Sequence, residues 1–597
     1  MSCKTLSRAG WASPALSSRT RWLYLRTSAS QVKDLLDRWS ALRQQEESIS
    51  AQESEPEPGG PDPESSSWPP PPQILQKLDY DAHFPAPYND DNATIFFGSS
   101  SAQVLSTEVL AVVCPQSPLL QQPPRQSERS SSMQEYSPYF GNEPSNIVPT
   151  KALILRLLDI YARSCMGFWP FHLDCLGDDD IDVFFQSTQG QVPHSQAYTK
   201  SEAHSNFQIG MMCCIASAHS SRVEATMRAY EQFFYSFASK LTKEVLSEAS
   251  HDSLRSLMLL VVYLLFRPQN GDLWLQLESA CRLAIELGYH RENAPFTETP
   301  VQRAQRGDTF WTLYRLEHSV AEIYGRPSDD LESISTIEIS HVTATLTTSP
   351  TQSRLLPSAN LASSLAKLSR IRSYIFKTIY LPARSAPIFI DDPYYRTQLH
   401  EIEQWRQEAT AGVTDPLASV ACTIAYNTSV IFLLQKSLLQ VLSRLAEPVM
   451  DTPTLVGAIA VQSFESAVEL ISCYEDLILS EGSLPLADFP VTFISAQEVS
   501  LAALTFVSWL FCSLDGRVKQ EDLAVGEGKT LMQRSWVCRD GSLSIKGQGR
   551  RLQHLSASCL SLLTWYAIQW PGMDGMVEIY REISAEVFHE AAARGLA

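Results

Sequence analysis

Cysteine pairs spaced to share a metal are missing from this chain. Its 597 residues include twelve cysteines, among them Cys3, Cys114, Cys165, Cys175, Cys281, Cys422 and Cys473, but they are scattered, and Cys213-Cys214 are neighbours that cannot easily face one metal. A zinc knot needs ligands nearly adjacent in sequence, so this pattern predicts none. With no secretory signal, scattered cysteines read as reduced core thiols of an intracellular protein. Positive charge is also short. The 47 basic residues face 66 acidic ones, for a net charge of −19, which opposes a broad grip on phosphate backbones. Two apolar runs are candidates for a membrane span, and neither is long enough. Leu257 to Phe266 falls far short of the ~20 residues that span a bilayer, and the longer Val499 to Leu514 carries Ser500, Ser508 and Ser513. Both read as core helices, and no membrane span is expected.

Catalytic motifs are equally scarce. There is no Gly-x-Ser-x-Gly elbow, so a serine hydrolase has no support. His172, His204, His219, His251 and His290 lack the i, i+4 pairing or the nearby cysteine pairs that suggest zinc. Asp178-Asp179-Asp180 with Asp182 is not followed by the bidentate glutamate of a calcium loop, and reads as a solvated acidic turn. Gly526-Glu-Gly-Lys-Thr530 looks like the end of a phosphate-binding loop, but Leu523 stands where that motif requires glycine and no strand precedes it. An exposed loop is the better reading.

What the chain does have is helical periodicity. From 149 onward, apolar stripes run through Leu153 to Tyr161, Ile209 to Ala218, Tyr230 to Leu246 and Leu254 to Leu265. They continue through Leu361 to Ile379, Thr423 to Leu442, Val461 to Leu479 and Leu552 to Ile568, while Pro382, Pro387 and Pro393 stand between helices. The expected fold is all-α: one large multi-helix domain over 149–597, with a loop insertion near 515–551. Before it, 44–148 reads as a disordered acidic, proline- and serine-rich linker that cannot bury enough apolar surface to offset ordering. Within that linker, Asp79-Tyr80-Asp81, Phe84, Tyr88 and Phe96-Phe97 interleave acids with aromatics. This suits either an activation segment or a plain spacer. Residues 1–43 form a basic start, with Lys4, Arg8, Arg19, Arg21 and Arg26 before any acid. A short amphipathic helix follows through Val32, Leu35, Leu36, Trp39 and Leu42, which could pair with a second copy.

The most specific stretch lies between Leu273 and Pro327. Leu273, Leu277, Ala280, Cys281, Ala284 and Leu287 fall at helical spacing, and Gly288 stands where a helix leaves through a left-handed residue. The polar run Tyr289-His290-Arg291-Glu292-Asn293 follows. A second stripe, Phe310, Leu313, Tyr314, Val320, Ala321 and Tyr324, closes on Gly325-Arg326-Pro327. Glu317 shares that stripe's face, so a structural ion pair with Arg282 or Arg326 is expected, with catalysis a distant second.

The segments Ala280-Cys-Arg-Leu-Ala-Ile-Glu-Leu-Gly-Tyr-His-Arg291, Phe310-Trp-Thr-Leu-Tyr-Arg-Leu-Glu317 and Gly325-Arg-Pro327 resemble the fungal-specific transcription factor domain. That domain is the helical region following the binuclear zinc cluster of many fungal regulators. Weaker agreement runs from Leu157-Leu-Asp-Ile-Tyr161 and Phe168-Trp-Pro-Phe-His172 through Phe207 to Ala218, and the resemblance covers roughly 150 to 450. Glu317 stands where the family usually carries aspartate, and Arg303 and Arg306 are spaced apart where it has an arginine pair. The family-signature residues are Gly288, His290, Phe310, Trp311, Glu317, Gly325, Arg326 and Pro327, all in structural roles.

The resemblance implies a nuclear, non-enzymatic regulator of a fungal metabolic pathway, frequently a secondary-metabolite cluster. It would work with transcription-factor or coactivator partners, with a homodimer open. The family's six paired cysteines are not found here, so zinc would enter only with a missing N-terminal cluster. DNA would be reached through such a module or through a DNA-bound partner. The basic start fits that cluster's linker or a mispredicted first exon better than a mitochondrial transit peptide, because the helical stripe after it occupies the family's next expected position. The competing class is a helical scaffold or small-molecule sensor that binds no DNA, placed in the mitochondrion or cytoplasm. No catalytic, cofactor-binding or metal residue is assigned.

Overall fold

Sixteen α-helices, two short strands and three short 3-10 turns are found among the described residues of the computed structural model. These residues are 82–85, 94–120, 147–171, 177–189, 198–292, 299–328, 331, 335–337, 339, 359–381, 392–442, 453–479, 487–514 and 548–594. All lie in the unit Lys77–Ala597. The helical stripe at 32–42 and the phosphate-loop-like Gly526 to Thr530 lie outside them.

The all-α expectation matches what is seen. Strands β1 (Ala82–Pro85) and β2 (Thr94–Phe97) pair antiparallel, with Ala82 opposite Phe97. Helix α1 (Ala102–Val113) follows, and its Val104, Leu105, Val109 and Leu110 are fully buried. A folded segment therefore lies inside the stretch assigned to the linker, and the ordered body begins well before 149. The cause is averaging: serines and prolines on either side dilute five apolar residues at helical spacing, while Ser101 caps the helix by accepting from the Val104 amide.

Around α4 (Lys200–Ser220), buried along nearly its whole length, pack α2 (Lys151–Ser164), α3 (Asp178–Thr188), α5 (Met227–Ser239) and α7 (His251–Phe266). The acidic turn expected at 178–180 is helical, forming the first turn of α3, where carboxylates complement the positive end of the helix dipole. The single stripe expected from Tyr230 to Leu246 turns at Lys240, leaving the one-turn α6 (Thr242–Val245).

From α7 the chain runs through α8 (Leu273–Glu286) into the long α9 (Pro300–Tyr324). A second group is built from α10 (Ala359–Ile379), α11 (Asp392–Thr410), α12 (Pro416–Leu442), α13 (Pro453–Ile478), α14 (Phe493–Leu514), α15 (Gly549–Gln569) and α16 (Asp574–Ala593). Pro393 sits in the first turn of α11 and not between helices, a position where its missing amide costs nothing. Helix α14 is the hub, touching α1, α7, α9, α12, α13, α15 and α16. Both α12 and α14 are long and apolar enough to cross a membrane, yet most of each is buried inside this body. Protein neighbours thus account for their composition, as expected for core helices.

Candidate functional site

Helix α9 organises the site because it carries two working faces. Thr299 and Gln302 form a reciprocal capping box with Pro300 at the first helical position, so the helix starts ten residues before Phe310. One face packs the signature aromatics. Phe310 and Trp311 are buried edge-to-face, 5.3 Å between ring centres, and Trp311 meets Tyr314 at 5.2 Å. Thr312 donates to the Pro170 carbonyl at 2.8 Å and Arg315 to the Phe168 carbonyl at 2.6 Å, which ties the Phe168-to-Phe171 block to α9.

The two signature glycines end their helices in one way. At Gly288 (φ +76°) its own amide reaches Ile285 O at 3.0 Å and the Tyr289 amide reaches Ala284 O at 2.9 Å. At Gly325 (φ +65°) the pattern repeats onto Glu322 O and Ala321 O. Both are Schellman closures through a left-handed residue. Gly325 has a second reason to lack a side chain: the backbone of Gly98 lies against it, so a Cβ on Gly98 would sit 2.2 Å from Gly325 O. The Gly98 amide donates to Tyr324 O at 3.0 Å, and Ser100 Oγ to Glu322 O at 2.7 Å. Arg326 donates to Phe96 O at 3.2 Å while its guanidinium covers the rings of Tyr324 and Trp274, at 4.7 and 5.3 Å. Pro327 is exposed just beyond the helix end.

The polar loop after Gly288 is held from α9. Arg306 donates to Gly288 O and Glu292 O, each at 3.2 Å, and to Arg291 O. His290 is half-buried, its carbonyl accepting the Thr336 amide at 3.0 Å. Burial, reinforced by neighbouring Arg291, holds its imidazole below the usual histidine range. The loop is clamped backbone by backbone, with no grouping of reactive side chains.

Glu317 is buried, but the arginine partners proposed for it lie elsewhere. Arg282 pairs with Glu278 one turn back on α8, and Arg326 is engaged with Phe96 and the aromatic rings. The Glu317 carboxylate instead lies 2.7 Å from Nδ1 of His318, its neighbour in sequence. Both arginines stand at helix ends or surfaces, whereas Glu317 faces the interior mid-helix, beyond their reach.

On the other face of α9, Arg315, His318, Ser319 and Glu322 follow at spacings of three and four. They line a cavity of about 130 Å³ between α9, α10, α12, α13 and α14. Arg372 of α10 closes on Glu322, its Nε 2.9 Å from Oε2. Tyr474 of α13 donates to Glu498 of α14, and burial raises that carboxyl above the usual range. The Arg315 guanidinium is pushed down to about 10 by burial. Burial works to lower His318 as well, but hydrogen bonding to Glu317, the charges of Glu317 and Glu322 and the Tyr314 carbonyl raise it overall. Phe168, Trp169, Phe489, Leu368 and Ile424 supply apolar walls. The signature residues themselves do not line this space, and sequence reasoning missed the ones that do. The available signal was a second polar stripe along a helix whose opposite face was already apolar.

Elsewhere the chemistry is quiet. Among the described residues no group of three His, Cys, Asp or Glu is placed to hold a metal. The described cysteines are free thiols, mostly buried. Burial pushes Cys165, Cys473 and Cys559 up to about 12, far from reactive thiolates.

Residues 171–407 match the Fungal specific transcription factor domain. A curated relative, the Pyrimidine pathway regulatory protein 1 of Saccharomyces cerevisiae, is 30% identical over 169 residues, covering 26% of this chain. The chain spans only about a fifth of that relative's length, 19%.

Proposed function

With a fungal specific transcription factor domain in residues 171–407, we propose that this chain is a nuclear regulator of transcription that controls a fungal metabolic pathway through its helical body. The pathway regulator among its relatives supports the metabolic scope, and a secondary-metabolite cluster is the narrower form of the same reading. The observation that carries the proposal is the sharing of α9 between the family signature and the charged cavity, so occupancy of the cavity bears directly on the helix that anchors the domain. That cavity also favours a sensing role over a plain scaffold. DNA would be reached through a DNA-bound partner or a further module.

Fusing the full chain to a foreign DNA-binding domain, upstream of a reporter with measurable basal output, tests this. The fusion should raise or lower output several-fold relative to the DNA-binding domain alone. Unchanged output, or a fluorescent fusion that collects in mitochondria, would overturn the regulator reading.

A further inference from the structure

The cavity beside α9 is lined by two arginines, Arg315 and Arg372, and two carboxyl groups, Glu322 and Glu498, but only one of the arginines is ion-paired. Arg372 and Glu322 neutralise one another. Arg315 is different: its hydrogen-bond partner is the Phe168 carbonyl, and no described carboxylate forms an ion pair with it. Burial lowers its pKa only to about 10, so it stays charged at neutral pH. A part-buried cation without a counter-ion is stabilised by an anion brought to it.

His318 points the same way. Its side chain is 2% exposed, and Nδ1 faces two acceptors, Tyr314 O at 3.0 Å and Glu317 Oε2 at 2.7 Å. Nδ1 therefore carries hydrogen, and once the ring takes its second proton, which Glu317 and Glu322 favour, the buried and unpartnered Nε2 is a donor with no acceptor of its own. Glu498, raised by burial, holds its proton more tightly than an ordinary carboxyl and so opposes an incoming anion less.

We propose that this cavity binds a small organic anion, a carboxylic acid whose carboxylate meets Arg315 and whose apolar body lies against Phe168, Trp169 and Phe489. At about 130 Å³ the space holds roughly ten times the minimum volume for one water, but it is smaller than the roughly 300–1,000 Å³ of drug-sized pockets. The ligand is therefore a small metabolite. Inorganic phosphate fits less well, since it leaves the rings of Phe168, Trp169 and Phe489 uncovered and brings a second negative charge toward Glu322. This assignment names the ligand class for the site of the regulator reading above and rests on that reading only for its consequence in transcription.

The test is the thermal melt of the purified full chain in millimolar benzoate, benzamide, benzylamine or inorganic phosphate at matched ionic strength. Benzoate should raise Tm by about 2 °C or more while the neutral amide, the amine and phosphate leave it unchanged. Arg315→Met should weaken benzoate by at least about tenfold, with Arg315→Lys intermediate, as expected for loss of a charge-assisted bond. Equal shifts from benzoate and benzamide, no shift from benzoate, or a benzoate shift that survives in Arg315→Met would overturn the assignment. If Arg315→Met does not fold, the comparison of benzoate with benzamide on the unaltered chain still decides. A benzoate shift together with a silent reporter fusion would uphold the cavity and sink the regulator reading alone.

Discussion

Two part-buried arginines in this protein are treated in opposite ways. Arg267, at the end of α7, is closed by Glu231 through paired contacts of 2.8 and 2.9 Å, with Ser221 Oγ completing the set at 2.9 Å. The Glu231 oxygens also accept from Tyr263, which Asn270 holds in turn. Burial works to lower Arg267, but Glu231 outweighs it and the net shift is upward. Arg315 shows the same burial without the carboxylate, and its pKa falls. The first network is complete within the fold and has nothing left to offer a ligand. The second is complete only with a partner from outside. Arg306 differs from both, since its guanidinium donates to backbone carbonyls of the signature loop.

The largest expected effect sharpens that contrast. Glu231→Gln leaves Arg267 uncompensated between α5 and α7 and should cost about 3–5 kcal/mol of stability, whereas Arg315→Met in the unliganded chain should shift it by less than about 1 kcal/mol. Urea unfolding of both variants checks this, and similar losses would erase the distinction. Next comes Arg306→Ala, which frees three carbonyls of the signature loop and should cost about 1.5–3 kcal/mol. Proteolysis within the loop at 288–292 should accelerate with it. The smallest effect concerns pH. His318 is raised above its ordinary 6.5 in the folded chain, so its contribution is fully present below that pH and declines as pH climbs through the raised value. Glu317→Gln should flatten this decline, measured as Tm against pH, because Glu317 supplies most of the raising interaction. A slope unchanged by the substitution would show that another group titrates there.

The helices were largely legible because an apolar stripe at 3.6-residue spacing survives in any order of packing. The ends at Gly288 and Gly325 were legible for a local reason, since a left-handed residue after a helix favours glycine whatever surrounds it. Helix α1 was hidden by the composition of its flanks. The partner of Glu317 was misread because it was sought among the arginines of the signature segments, while reach depends on which way each side chain faces and the adjacent His318 was overlooked. The cavity was not legible at all. Arg315 and His318 look like an ordinary solvated stripe until α10, α12, α13 and α14 are laid over them.

By itself the sequence determined the class of structure, the positions of most helices and the two glycine closures, since backbone sterics and periodic burial act within a few residues of chain. Only the tertiary structure decided that residues nearly two hundred positions apart enclose one charged space, and that no described carboxylate pairs with Arg315 there. Desolvation and charge balance depend on what arrives from distant elements, and no local pattern carries that sum.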